Sequence, residues 1–157
     1  MNGMFEWSDS YCAGIQEVDE QHKELLIALN EVAAAVREGA DTARQRALLD
    51  ALAENARAHF SLEESLMRVS NYPEFQSHKQ LHEELMGQML GVQERLDLGE
   101  ECISFELLHF LKVWLINHIN EADRRFCVYF LSVGGEAEWA PHVADGMARK
   151  GKGWKFW

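Results

Sequence analysis

Five of the seven histidines in this sequence fall into a pattern with two carboxylates. His22 stands alone. His59 and Glu63 are four residues apart, as are His78 and His82, while His118 and Asp123 are five apart. Imidazole and carboxylate donors without thiolate suit iron, manganese or zinc. A spacing of four puts two side chains on one face of an α-helix, with about 6 Å of rise between them. One helix can then supply two ligands to one site. A spacing of five turns the second side chain by about 140°. Asp123 is therefore expected to reach the site from the side, an offset that a bridging carboxylate accepts better than a second imidazole. Seven donors exceed the needs of one ion. If two octahedral ions and a bridging oxygen atom are assumed, two bridging carboxylates and five imidazoles leave one position open. A single open position at a redox-active pair suits reversible binding of a small diatomic ligand.

Long helices must position these donors. Asp19 can cap a first helix running to about Arg37, with Leu25, Leu26, Leu29, Val32 and Val36 on one face. Gly39 and the Asp41-Thr42 pair then make a stop and a new start. A second helix is predicted from about Ala43 to Val69 and is broken at Asn71-Tyr72-Pro73. A third runs from about Glu74 to Leu96. Ser104 can cap a fourth, which carries Leu108, Leu111, Leu115, Ile119 and Phe126 and ends at Gly134-Gly135. No strand alternation, repeat or low-complexity linker interrupts the pattern. Short connections make sequential helices antiparallel. The expected fold is all-α, an up-down-up-down four-helix bundle over residues 1–133. An ordered aromatic arm over Met1 to Val18 precedes the first helix, and a short extension over residues 134–157 follows the bundle. In such a bundle, donors early on helices one and three meet donors late on helices two and four at one level.

Composition narrows the alternatives. A net charge of −11 disfavours general nucleic-acid binding. Three cysteines, Cys12, Cys102 and Cys127, with no C-x-x-C, give neither a disulfide framework nor a thiolate zinc site. Residues 1–10 have no basic n-region or apolar h-region, so no secretory signal is expected, and the cytoplasm is the expected location. The most apolar stretch, Phe105 to Ile119, is broken by His109, Lys112 and His118 and is too short and polar for stable membrane insertion. Glu106-x-x-His109 matches half of a ferritin-like di-iron motif, but one copy is too few. His109 and His142 stay unassigned. Glu64 reads equally as a partner of a ligand or as a solvated helix carboxylate. The end of the chain, Arg149 to Trp157, is basic and aromatic. It can fold back on the acidic body, contact an anionic partner or membrane, or be disordered.

The ordered set of motifs resembles bacterial hemerythrins over roughly residues 5 to 130. The resemblance rests on Phe5-Glu6-Trp7, Gly14-Ile15, Asp19-Glu20-Gln21-His22-Lys23-Glu24-Leu25 and His59-Phe60-x-x-Glu63-Glu64-x-x-Met67. It continues through His78-x-x-x-His82 and Trp114-Leu115-Ile116-Asn117-His118-Ile119-x-x-x-Asp123. It implies two iron ions with an oxo or hydroxo bridge. His78, His82 and His118 would serve the saturated iron, and His22 and His59 the iron with the open position. Glu63 and Asp123 would bridge both. Phe60, Trp114, Leu115 and Ile119 resemble the apolar wall of an oxygen pocket, which keeps out water and anions.

The function expected is reversible dioxygen binding for transport, storage or delivery by a monomer, with no enzymatic activity required. Two rivals are a sensor of oxygen, redox state or nitric oxide signalling to a protein partner through residues 134–157, and an enzyme using the metal pair for peroxide or nitric oxide chemistry.

Overall fold

The structure, a computed structural model, describes residues 6–11, 14–99 and 103–134. After a 3₁₀ turn at Asp9–Tyr11 come α1 (Gln16–Arg37), α2 (Thr42–Val69) and α3 (Phe75–Asp97). The fourth rod is α4 (Phe105–Asn117), a π-helical turn (His118–Asp123) and α5 (Arg124–Ser132), continuous in chain order. The four rods form the expected up-down-up-down antiparallel bundle, with α1 packed on α2 and α4, and α2 on α3.

The turns follow from local chemistry. Gly39 and Gly99 take positive φ of 71° just beyond α1 and α3, where the left-handed conformation ends a helix without a Cβ penalty. The Asp41 carboxylate accepts from the Arg44 N–H at 2.8 Å, and the Ser104 hydroxyl accepts from the Leu107 N–H at 3.1 Å. Each satisfies an N–H that the first helical turn leaves unpaired. Gln45, buried in α2, ties two connections together. Its amide donates to the Ala40 carbonyl at 3.0 Å and accepts from the Ile103 N–H at 3.1 Å.

Two expectations are corrected. Asp19 does not cap α1. The helix begins four residues earlier, with Ile15 at the N-cap, because the inward period continues through Ile15 and Val18, both fully buried. Asp19 lies in the first turn, where its charge suits the helix N-terminus, and it accepts from the Gly14 N–H at 3.4 Å. The aromatic arm therefore ends at Ile15, not Val18. The fourth helix is also not uniformly α-helical, since one wider turn holds His118 and Asp123.

The core is split into two apolar clusters. The larger contains Leu25, Leu29, Leu52, Ala56, Phe60, Leu85, Leu111, Leu115 and Ile119. The smaller contains Ile15, Val18, Leu66, Met67, Tyr72, Phe126 and Phe130. Along α1 the smaller cluster comes first, then His22, then the larger. Along α2 the order is reversed around His59 and Glu63, as alternating direction requires. The polar residues thus form one layer with apolar packing above and below it.

The arm packs on this body. Trp7 and Tyr11 meet edge to face at 5.3 Å between ring centroids, and the Lys23 ammonium lies 5.5 Å from the Trp7 ring. The Arg124 guanidinium donates to the Ser10 carbonyl. Gly14 has φ of 102°, and a Cβ there would meet Leu131 at 3.2 Å, so this close approach of arm and α5 needs glycine. No helix among the described residues is long and apolar enough to cross a membrane. Cys12, Cys102, His142 and the basic aromatic end from Arg149 to Trp157 lie outside the described residues.

Phe126 is fully buried and packs edge to face on Tyr72 at 5.1 Å. Phe126→Ala should cost about 3–5 kcal/mol, whereas Asp41→Ala, losing one exposed cap, should cost about 1 kcal/mol. Urea denaturation of both variants checks this ranking, and equal losses would contradict it.

Candidate metal centre

All seven side chains singled out in the sequence converge in the polar layer. His22, His59, Glu63, His78, His82, His118 and Asp123 are each no more than 5% exposed. Donor atoms from Glu63, His78, His82, His118 and Asp123 lie within 4.8 Å of one another, and so do those from His22, His59, Glu63 and Asp123. Glu63 and Asp123 belong to both sets.

Asp123 divides its oxygens between the sets. Oδ2 is 2.8 Å from His22 Nε2 and 4.0 Å from His59 Nε2. Oδ1 is 2.9 Å from both His78 Nε2 and His118 Nε2. Glu63 Oε1 lies 3.3 Å from His82 Nε2, 3.4 Å from His59 Nε2 and 3.9 Å from His78 Nε2. His82 and His118 face each other Nε2 to Nε2 at 3.0 Å.

The π turn makes this possible. Its ladder closes one residue later than that of an α-helix, so residues five apart come onto the same face. The sideways approach expected for Asp123 is therefore corrected. His118 and Asp123 point together, 2.9 Å apart, because the backbone widens by one residue between them.

The donor set fits a cation. Both oxygens of Glu63, Asp123 Oδ1, His59 Nε2 and His78 Nε2 are buried without a hydrogen-bond partner in the described structure. Such unpaired groups are costly. Ligands about 2.1 Å from an ion sit about 3 Å apart at neighbouring octahedral positions. The closest donor separations here, 2.8–3.0 Å, match that edge.

Hydrogen bonds on the far side of two rings fix their orientation. The Gln21 side-chain carbonyl accepts from His59 Nδ1–H at 2.6 Å, and the Glu64 carboxylate accepts from His82 Nδ1–H at 2.9 Å. Both bonds leave Nε2 as the inward atom. Glu64, open between two readings in the sequence, is thus a histidine partner. Gln21 carries no chemical signal alone, and only its place beside His22 on the first helix could have drawn attention to it. His109 and Glu106 are exposed, as a coincidental motif would be.

The four residues expected to form an apolar wall separate into two environments. Phe60 stacks on His82 at 3.8 Å, and with Leu115 it lines a cavity of about 20 Å³ inside the larger cluster. Trp114 stacks on His118 at 4.5 Å but is half-buried and lines a surface cleft. Ile119 is buried in the larger cluster.

Charge balance inside the layer sets its proton affinity. Burial and the neighbouring Asp123 push the Glu63 carboxyl up, but His59, His78 and His82 outweigh them and hold it at about 2. Burial likewise opposes ionisation of Asp123, yet His118, His22 and His59 bring it well below the usual carboxylate range. Burial acts to lower His22, His59, His78 and His82. In His78 the nearby Asp123 and Glu63 carboxylates outweigh burial and carry it to about 9. His22 and His82 are also raised on balance by their carboxylate partners, whereas burial prevails at His59. Burial, then the charges of Glu63 and Asp123, pushes the Cys127 thiol up, so it stays protonated.

These shifts predict how the metal-free chain responds to pH. His78, raised from 6.5 to about 9, contributes stability fully present below 6.5 and lost as pH rises through about 9. Glu63, lowered from 4.5 to about 2, contributes stability present above 4.5 and lost as pH falls through about 2. Three raised imidazoles act against one lowered, so Tm should peak between those unfolded values of 4.5 and 6.5. Adding a divalent cation at neutral pH should release protons. Calorimetry of chelator-treated protein checks both, and a Tm still rising toward pH 9 would contradict the charge balance.

Comparison with known proteins agrees with this geometry. The family model described as "Hemerythrin HHE cation binding domain" matches residues 13–127. A bacteriohemerythrin of Stenotrophomonas maltophilia (strain R551-3) is 33% identical over 124 residues, which cover 76% of this chain and 77% of that protein. A hemerythrin-like protein of Naegleria gruberi is 33% identical over 122 residues, covering 78% and 90%. The crystal structure of wild-type hemerythrin superposes with a TM-score of 0.74 at 27% identity, covering 78% of this chain and 95% of that one. A leucine-to-alanine mutant of hemerythrin gives 0.77 at 25% identity, covering 82% and 98%. With a four-helix bundle and a buried histidine–carboxylate cluster able to hold metal, this chain belongs to the hemerythrin family of cation-binding domains.

Proposed function

We propose that the protein binds dioxygen reversibly at a non-haem di-iron centre, for oxygen transport, storage or delivery. His78, His82 and His118 would hold one iron, His22 and His59 the other, and Glu63 and Asp123 would bridge them. The observation that carries this reading is the division of Asp123, whose two oxygens face two different sets of histidines. A carboxylate serving one ion would have no reason to address both. The uneven sets, three imidazoles against two, leave the second ion one protein ligand short.

The iron pair would supply the electrons for reversible capture of dioxygen. The chain's part is to orient the donors and to keep water away. The cavity beside the layer is lined by Leu25, Leu29, Phe60, Met89 and Leu115 among other apolar side chains. A site of about 20 Å³ has room for one small molecule, and a wholly apolar lining gives water no partners. Every candidate ligand comes from one chain, so a monomer suffices. No acid–base residue is needed beyond the ligands, which is why binding is favoured over catalysis. The sensor reading depends on residues 134–157, of which 135–157 lie outside the described residues.

Metal analysis should return two irons per chain. The visible spectrum should change on exposure to air and revert under nitrogen through repeated cycles. One metal or none, or a change that never reverts, would contradict the proposal. His118→Ala should lose iron while far-UV circular dichroism stays unchanged, and full iron retention would remove His118 from the ligand set.

A further inference from the structure

Two ligand histidines are held by partners of different charge. His82 Nδ1 donates to the Glu64 carboxylate at 2.9 Å, and His59 Nδ1 donates to the neutral Gln21 amide at 2.6 Å. His82 falls in the three-histidine set and His59 in the two-histidine set. Both rings are almost wholly buried, the His59–Gln21 bond is buried throughout and the His82–Glu64 bond is part-buried, so water weakens both less than it would at the surface. An imidazole whose far N–H donates to a carboxylate gains negative character and becomes a stronger donor at its other nitrogen. A neutral amide fixes the same tautomer and ring orientation but pushes less charge through the ring. The two bonds use the same ring nitrogen and differ in the charge of the acceptor.

We propose that Glu64 and Gln21 are positioning residues that make the two metal subsites chemically unequal, Glu64 strengthening the His82 subsite and Gln21 keeping the His59 subsite weaker. This inference rests on the two-metal reading above. It adds a division of labour. The carboxylate-backed subsite would retain its ion firmly, while the amide-backed subsite would hold its ion less tightly and stay more reducible. Glu64 belongs to the helix that supplies His59 and Glu63, so one helix both ligates one subsite and backs a histidine of the other.

The test is stepwise titration of the metal-stripped full-length chain with Co²⁺, following its visible ligand-field bands. Wild type should bind two ions with resolved affinities. Glu64→Gln keeps an acceptor oxygen and nearly the same volume but removes the charge. It should weaken the tighter ion by about 10–100-fold and leave the other within about threefold. Gln21→Glu should tighten the weaker ion and shift its bands alone. Glu64 is 16% exposed, so Glu64→Gln decides the matter by itself if a carboxylate at position 21 prevents folding. Unchanged affinities in Glu64→Gln, or equal weakening of both ions, would overturn the inference and leave the two-metal reading intact. A wild-type chain that binds no pair of ions would overturn both.

Discussion

Two carboxylates, Glu63 and Asp123, are wholly buried within one cluster, and that arrangement is unfavourable unless positive charge lies between them. Bringing a charged group out of water costs several kcal/mol even after relaxation, and the two repel each other as well. His22, His78 and His82 answer this in part through a raised affinity for protons. A pair of cations would answer it more completely, because the imidazoles could then act as neutral donors. Metal binding and folding are for this reason coupled in the proposed account.

That demand explains the layered interior. A polar level in the middle of a bundle is tolerable only if the packing on both sides is tight enough to resist its opening. The larger cluster and the Tyr72–Phe126–Phe130 cluster supply that packing, and aromatic rings extend it onto the histidines themselves. The π turn answers the same demand. An α-helix would carry Asp123 away from His118, and the two could not share a site. Widening one turn costs backbone hydrogen-bond quality, and it occurs where the two side chains must converge.

Much of this was legible in the sequence because two strong periodic signals coincide. The apolar positions of the helices repeat with the α-helical period, and His59/Glu63 and His78/His82 follow it too, so their convergence could be read before any coordinates. The five-residue interval from His118 to Asp123 breaks that period. The interval is visible in the sequence, but ideal α geometry puts the aspartate on the wrong bearing. Asp19 misled for a related reason. A good capping residue stood near the helix start, but burial of Ile15 and Val18 extended the helix past it. Gln21 was hidden because amide hydrogen bonding has no characteristic spacing, and its partner is 38 residues away. The resemblance groups Trp114 and Phe60 in one wall, but only the fold reveals that Trp114 covers His118 from a surface cleft.

The central claim is that seven donors from four rods enclose two iron ions bridged by Glu63 and Asp123. Anomalous diffraction from crystals of the aerobically purified protein, recorded on either side of the iron absorption edge, addresses it directly. The account predicts two resolved iron peaks in the buried layer, each within ligand distance of both carboxylates, one beside His78, His82 and His118 and the other beside His22 and His59. A single peak, or iron located elsewhere in the molecule, would contradict it.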